Sequence, residues 1–142
     1  AILGFTTRAR MRSTAPRRIA LAAHDTRKAH LRAWVSRHAA ALEGHRLVCT
    51  GGTGQMIAEA APQLSLRRLQ RGSRGGDQQL GAMIATGELD AVIFFADPTV
   101  PHGGEADLQA LPRLAVLHDT PLALGPSGAD MIATALLAMP EG

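Results

Sequence analysis

Arg18-Ile-Ala-Leu-Ala-Ala-His-Asp25 is a short apolar run closed by two polar side chains, the pattern of a buried strand that delivers functional groups at its C-terminal end. Leu31, Trp34, Val35, His38 and Leu42 then recur at helical spacing until Gly44, so the strand leads into an amphipathic helix stopped by a glycine. The alternation repeats along the chain. Arg46-Leu-Val-Cys49 reads as a second strand, Thr50-Gly-Gly-Thr-Gly54 as a tight loop, and Gln55 to Ala61 as a short helix closed by Pro62. Leu64 to Leu69 suits a third strand, before the glycine-rich Arg71-Gly-Ser-Arg-Gly-Gly76 and a helix that Asp77 opens and that ends near Gly87. Asp90-Ala-Val-Ile-Phe-Phe95 is the clearest strand, and an irregular loop from Asp97 to Gly104 follows it. Ala106 to Val116 reads as a helix that Pro112 should kink or shorten. Pro121-Leu-Ala-Leu124 is a last strand, and Ser127 is placed to cap a final helix from Ala129 to Met139. This order predicts an α/β fold, a three-layer, doubly wound, five-stranded parallel sheet, because parallel strands need crossover connections of this length. Ligands of such folds collect beyond the carboxyl ends of the strands, where the glycine-rich segments fall.

The chain has 142 residues, 46% of them hydrophobic and 19% charged, which suits one compact domain, here residues 17–142. No apolar run approaches the roughly 18 residues of a membrane span. Residues 1–16 carry Arg8, Arg10 and Arg12 with no acidic residue; they read as a basic, flexible extension, a composition shared with Arg-rich transit peptides, and they lack the apolar segment of a secretory signal. Cys49 is the lone cysteine, so no intrachain disulfide forms and a reducing, cytoplasmic setting is the natural reading. The net charge is +3, but aromatics make up only 3% of the residues and the arginines are scattered, which argues against nucleic acid and for small anions as partners.

Several segments hold groups suited to chemistry, each with a plainer alternative. Thr50-Gly-Gly-Thr-Gly54 joins a strand to a helix, so its backbone N–H groups and hydroxyls can converge on one anion; a purely structural tight turn is the other reading. Lys28 is the only lysine among fifteen basic residues and lies one turn beyond His24-Asp25, either as a cation for that anion or as an ordinary surface lysine. Gly75-Gly-Asp-Gln-Gln79 puts a carboxylate at a helix start, as a cap or as a base that gains strength from desolvation. His24 and Asp25 end a buried strand, where a structural hydrogen bond between loops competes with a role in a site. His102, in a proline-bounded loop, suits a neutral imidazole that donates to a carbonyl oxygen while charge develops. A zinc site is the competitor for such residues, yet HExxH, CxxC and close His pairs on one helical face are all absent, so no metal is expected.

Taken in order, Ile19-Ala-Leu-Ala-Ala-His24-Asp25 with Lys28, Cys49-Thr-Gly-Gly-Thr-Gly54, Gly75-Gly-Asp-Gln-Gln79, Phe94-Phe-Ala-Asp97-Pro98 and Val100-Pro-His102 resemble the methylglyoxal synthases from about Arg17 to Ile132. The resemblance implies the methylglyoxal synthase-like fold and a cytoplasmic, allosteric homohexamer. It implies a carbon–oxygen lyase of the glycolytic bypass, needing no metal or organic cofactor, that eliminates phosphate from dihydroxyacetone phosphate through an enediolate. By the same resemblance Asp77 is the base; Lys28, Thr50, Gly51, Thr53 and Gly72 hold the substrate phosphate; His102 contacts the substrate oxygens; and His24, Asp25 and Asp107 line and orient the site. Gly52 and Arg71 stand in the phosphate loops where the family carries a hydroxyl and a serine.

Other departures are Ala96 in place of the tryptophan of the family's Trp-Asp-Pro, two residues fewer before His102, two more before Asp107, and Leu124-Gly125 in place of a threonine-asparagine pair. The family's basic C-terminal segment, whose arginine reaches a neighbouring subunit's site, has no counterpart up to Gly142. These departures keep a second reading open: a catalytically degenerate anion-sensing module, a use to which the same fold is put in the large carbamoyl phosphate synthetases.

Overall fold

The computed structural model describes residues 16–99 and 110–137. Five strands alternate with helices: β1 (Arg18–Ala23), α1 (Lys28–Leu42), β2 (Arg46–Cys49), α2 (Gly51–Ala60), β3 (Leu66–Arg68), α3 (Gly76–Ala85), β4 (Ala91–Phe95), α4 (Ala110–Leu117), β5 (Leu122–Ala123) and α5 (Pro126–Ile132). The strands form one sheet in the order β3-β2-β1-β4-β5, parallel throughout. The chain winds outward from β1 in both directions, so the fold is the doubly wound α/β sheet expected.

The two-residue period of the strands divides the core. Ile19, Leu21 and Ala23 of β1 pack with Leu31, Trp34 and Val35 of α1, Ile57 of α2, and Ala129 and Ile132 of α5. Ala20 and Ala22 face the other way, onto Leu80, Met83 and Ile84 of α3 and Leu111 of α4. Central strands covered on both faces need apolar residues at every position; Ile19 through Ala22 are at most 1% exposed.

Boundaries depart from the sequence reading where backbone geometry outweighs residue type. The second helix starts at Gly51 rather than Gln55, with Thr50 extended at its N-cap; its glycines sit in the first turn because other side chains crowd against them. The last helix is capped from Gly125, with Pro126 at its first position, not from Ser127, because proline at that position sacrifices only an N–H that lacks an intrahelical acceptor. It continues as a wider turn over Ala133–Leu137. Pro112 lies in the first turn of the described part of α4, where it leaves the helix unbroken. Glycines at positive φ follow α1 and α3, at Gly44 and Gly87.

On the α1 side, Trp34 donates its indole N–H to Asp130 Oδ1 at 2.9 Å. His38 stacks on the indole with ring centroids 4.3 Å apart and places Nε2 3.0 Å from the same oxygen, so one carboxylate ties α5 to α1. The Trp34 hydrogen bond, and after it His38, holds the Asp130 carboxyl below its ordinary range. A group depressed in this way stabilises the fold above its unfolded-state pKa, about 3.9 for aspartate, and loses that contribution as pH falls through the folded value. We expect Asp130→Ala to lower the urea midpoint and shift the emission of the sole tryptophan at neutral pH. The difference from the parent protein should shrink as pH falls below the carboxylate range, and a gap that is constant with pH would contradict this assignment.

Candidate active site

Beyond the carboxyl ends of β1, β2 and β3 lies a cavity of about 200 Å³ lined by Ala23, Asp25, Lys28, Thr50, Gly52, Thr53, Arg71, Gly72, Ser73 and Asp77. Three consecutive strand-to-helix connections supply it, which is why its residues are spread over more than fifty positions of sequence.

From β1, a single 3-10 turn over Asp25–Arg27 leads into α1. Lys28 Nζ lies 2.7 Å from Asp25 Oδ1, so the ammonium is aimed by a carboxylate that also faces the cavity. From β2, Thr50 extends the chain and α2 starts at once. Gly51 N–H donates to Gln70 O at 3.1 Å and Gly54 N–H to Thr50 O at 2.8 Å. The N–H groups of Gly52 and Thr53 are those the first helical turn leaves without an intrahelical acceptor, at the positive end of the helix dipole. A Cβ on Gly52 would stand 3.2 Å from Lys28 Nζ, so ammonium and helix start converge. Thr53 is 1% exposed, and its hydroxyl has no hydrogen-bond partner among the described residues. A buried hydroxyl without a partner loses free energy unless a ligand supplies one.

From β3, Arg71 N-caps a 3-10 turn over Gly72–Arg74, and α3 follows. Gly75 has φ +100°, and a Cβ on Gly76 would lie 2.0 Å from Gln70 O. Only glycine fits at Gly76, and this contact presses the start of α3 against the chain leaving β3. The N-cap of α3 is Gly75, so Asp77 is inside the first turn and is not the cap. Its carboxylate is 7% exposed and stands 3.2 Å from where a Cβ of Gly72 would be, facing the cavity.

Gly51 lies behind the cavity, where its bare Cα accommodates Arg71: a Cβ would meet Arg71 Cγ at 2.9 Å. His24 is not at the cavity surface. It is 2% exposed, accepts the Asp97 N–H on Nδ1 at 2.8 Å and packs edge-on against Phe94, forming a strut between the ends of β1 and β4. Asp97 continues that strut. Its Oδ2 accepts from the Thr26 hydroxyl at 2.5 Å, and its Oδ1 accepts from Thr99 N–H and Oγ1–H at 2.9 and 2.6 Å. These bonds, led by that from Thr26, hold the Asp97 carboxyl far below the usual range. His102 and Asp107 lie outside the described residues. Ser73 is a lining residue that sequence reading did not single out, although its place between the glycines of Arg71-Gly-Ser-Arg-Gly-Gly76 was the available signal. Cys49 is buried, and burial pushes its thiol up to about 12, which leaves it inert as a nucleophile. Among the described residues no group of three His, Cys, Asp or Glu side chains is arranged to hold a metal, and no helix is long and apolar enough to cross a membrane.

The fold and cavity together define a doubly wound α/β protein whose cavity, at the carboxyl ends of the strands, is lined by three hydroxyls, two cations and two carboxylates. Residues 31–124 match the family described as the MGS-like domain. The methylglyoxal synthase of Rhizobium rhizogenes is 46% identical over 114 residues, covering 80% of this chain and 90% of the relative, and that of Brucella anthropi is 44% identical over 119 residues, covering 84% and 95%. The crystal structure of methylglyoxal synthase from Elizabethkingia anophelis superposes with a TM-score of 0.79 at 42% identity, covering 84% of this chain and 78% of that one. The chain belongs to the MGS-like family, as its motifs suggested.

The contact between Gly51 and Arg71 sets an expectation. Gly51→Ala should destabilise the protein by about 1–3 kcal/mol, the usual cost of overpacking, and less so in an Arg71→Ser background that removes Cγ. Equal losses in both backgrounds, measured by denaturant titration as a double-mutant cycle, would show that Arg71 is not what crowds the glycine.

Proposed function

We propose that this chain is a carbon–oxygen lyase that converts dihydroxyacetone phosphate to methylglyoxal and inorganic phosphate. The observation that carries this reading is that Asp77, Lys28, Thr50, Thr53 and Arg71, from three successive loops, line one cavity. At about 200 Å³ it is smaller than the roughly 300–1,000 Å³ sites of drug-sized ligands, and suits a phosphorylated three-carbon substrate.

The Lys28 ammonium, the Thr50 and Thr53 hydroxyls, the N–H groups at the start of α2, Gly72 and the Arg71 guanidinium hold the phosphate. Arg71 takes the place of a neutral hydroxyl and adds a second cation opposite Lys28, with the planar donor geometry that matches phosphate. Gly51 makes room for it. Asp25 aims Lys28, and His24 braces the loop that bears both. With the phosphate anchored, Asp77 removes a proton from the carbon next to the ketone, and the electron pair moves onto the carbonyl oxygen to give an enediolate. His102 donates to that oxygen, and Asp107 orients the site. The cradle turns the phosphate ester bond perpendicular to the enediolate plane, so that its breaking orbital overlaps the π system. The hydroxyl proton on the deprotonated carbon passes to the enediolate oxygen, and the oxygen it leaves forms the aldehyde C=O. The C=C pair shifts toward the ester-bearing carbon as its C–O bond breaks, phosphate leaves, and the resulting enol tautomerises to methylglyoxal. No metal or organic cofactor enters these steps. The degenerate sensor reading has less support: a sensor needs the cradle but no base, whereas here the Asp77 carboxylate lines the cavity and the relatives named above are synthases by name.

Purified protein should release inorganic phosphate from dihydroxyacetone phosphate in the presence of a metal chelator. Asp77→Asn should lower kcat by on the order of 10²–10⁴-fold while still binding phosphate, and Lys28→Ala should raise KM about tenfold or more. Wild-type protein that binds phosphate but never turns over would leave only the sensor.

We also place the chain in the cytoplasm as an allosteric homohexamer. Val116, Leu117 and Met131 are 81%, 68% and 74% exposed, apolar surface of the kind that association covers. Light scattering should give a mass near six chains, with phosphate inhibition that is cooperative; a monomer with hyperbolic kinetics would refute both.

A further inference from the structure

At the opposite edge of the sheet, by the N-terminal ends of β1 and β2, a cleft of about 410 Å³ is lined by Arg18, Arg46 and Arg67 together with Val48, Met83 and Glu88. The parallel register explains the convergence. Arg18 pairs with Arg46 and Arg67 with Val48, so all three arginines stand on the face that bears Ala20 and Val48, on strands spaced roughly 4.8 Å apart. Arg18 is engaged: its Nε lies 3.8 Å from Asp90 Oδ2, and Nη2 donates to Gly87 O at 3.3 Å. Arg46 and Arg67 form no salt bridge with any carboxylate among the described residues. Two guanidiniums on adjacent strands without counter-charge, both lining the cleft, offer forked donors that match a phosphate.

The rest of the cleft selects for more than an anion. Its floor is apolar, with Val48 5% and Met83 9% exposed, and a methionine thioether packs well against a flat ring. Glu88 accepts the Thr86 hydroxyl on Oε2 at 2.5 Å, which leaves Oε1 to accept from a ligand hydroxyl or amino group. We propose that this cleft is a second ligand site, separate from the phosphate cavity, that binds a phosphate ester with a flat apolar body, of which a mononucleotide is the type. The phosphate sits on Arg46 and Arg67, the ring lies over Met83 and Val48, and Glu88 takes a hydroxyl or amine.

The test is calorimetric titration of AMP into the full chain, with adenosine and inorganic phosphate as comparison ligands. The wild-type protein should bind one AMP per chain. Arg46→Ala/Arg67→Ala, which alters two exposed side chains, should weaken this at least about tenfold, the equivalent of one charge-assisted hydrogen bond. Lys28→Ala, which weakens the phosphate cavity at the other edge, should leave AMP affinity within about twofold. Circular dichroism checks that the double variant is folded, and Arg67→Glu, an edge-strand change, should reproduce its loss. The proposal is overturned if AMP does not bind, if the double variant binds it as tightly as the wild type, or if Lys28→Ala abolishes binding and so places AMP in the phosphate cavity. It is also overturned if inorganic phosphate binds Lys28→Ala as tightly as AMP does, since the apolar floor would then contribute nothing.

Discussion

Gly76 rests against the carbonyl oxygen of Gln70 so closely that a side chain there would have to share its space, with a Cβ only 2.0 Å from that oxygen. The rest of the site depends on this contact. It fixes where α3 begins relative to the chain leaving β3, and Gln79 reinforces it by accepting the Gln70 N–H on its side chain at 2.8 Å. Asp77 is the next residue, so its position is set by backbone packing rather than by a flexible side chain. Gln70 O also accepts the Gly51 N–H, and the same few atoms therefore hold the start of α2, which borders the cavity. Asp77 and the start of α2 are aligned because both are built against one carbonyl group.

The site combines elements of different rigidity. The N–H groups of α2 and the carboxylate of Asp77 are carried by helix starts seated on the central strands, whose residues are almost wholly excluded from water. The cations are on longer, more exposed stems. Lys28 is steered by Asp25, and Arg71 passes over Gly51 to reach the cavity. Charge for binding is thus adjustable, while the group proposed to take the proton is held in place. A reaction that must suppress a competing return of the proton needs this division, because outcome depends on the torsion of the anchored substrate more than on raw affinity.

The buried hydrogen bonds around Asp97 and His24 serve a further purpose. They join the loop after β1 to the loop after β4 across the switch point of the sheet, where neighbouring connections diverge to opposite faces and would otherwise leave a gap. His24 can brace the loops only with Nδ1 unprotonated, since that atom accepts the Asp97 N–H. This places any proton of the neutral ring on Nε2.

Residue order was enough to read out the alternation of strands and helices, because parallel strands buried on both faces must be apolar throughout and their crossovers must be amphipathic. The ordered motifs around Asp25, Gly51 and Asp77 were legible for the same reason: glycine, threonine and aspartate at strand ends are conspicuous against apolar runs. Helix boundaries at Gly51 and Gly125 were not, since propensity disfavours glycine in a helix and says nothing of the side chains that crowd it. Nor could local pattern distinguish Asp77 as a cap from Asp77 as a lining group, or show that His24 hydrogen-bonds the Asp97 N–H. Those outcomes depend on contacts between segments distant in the chain, whose geometry exists only once the sheet has assembled and the ends of three strands have been brought together.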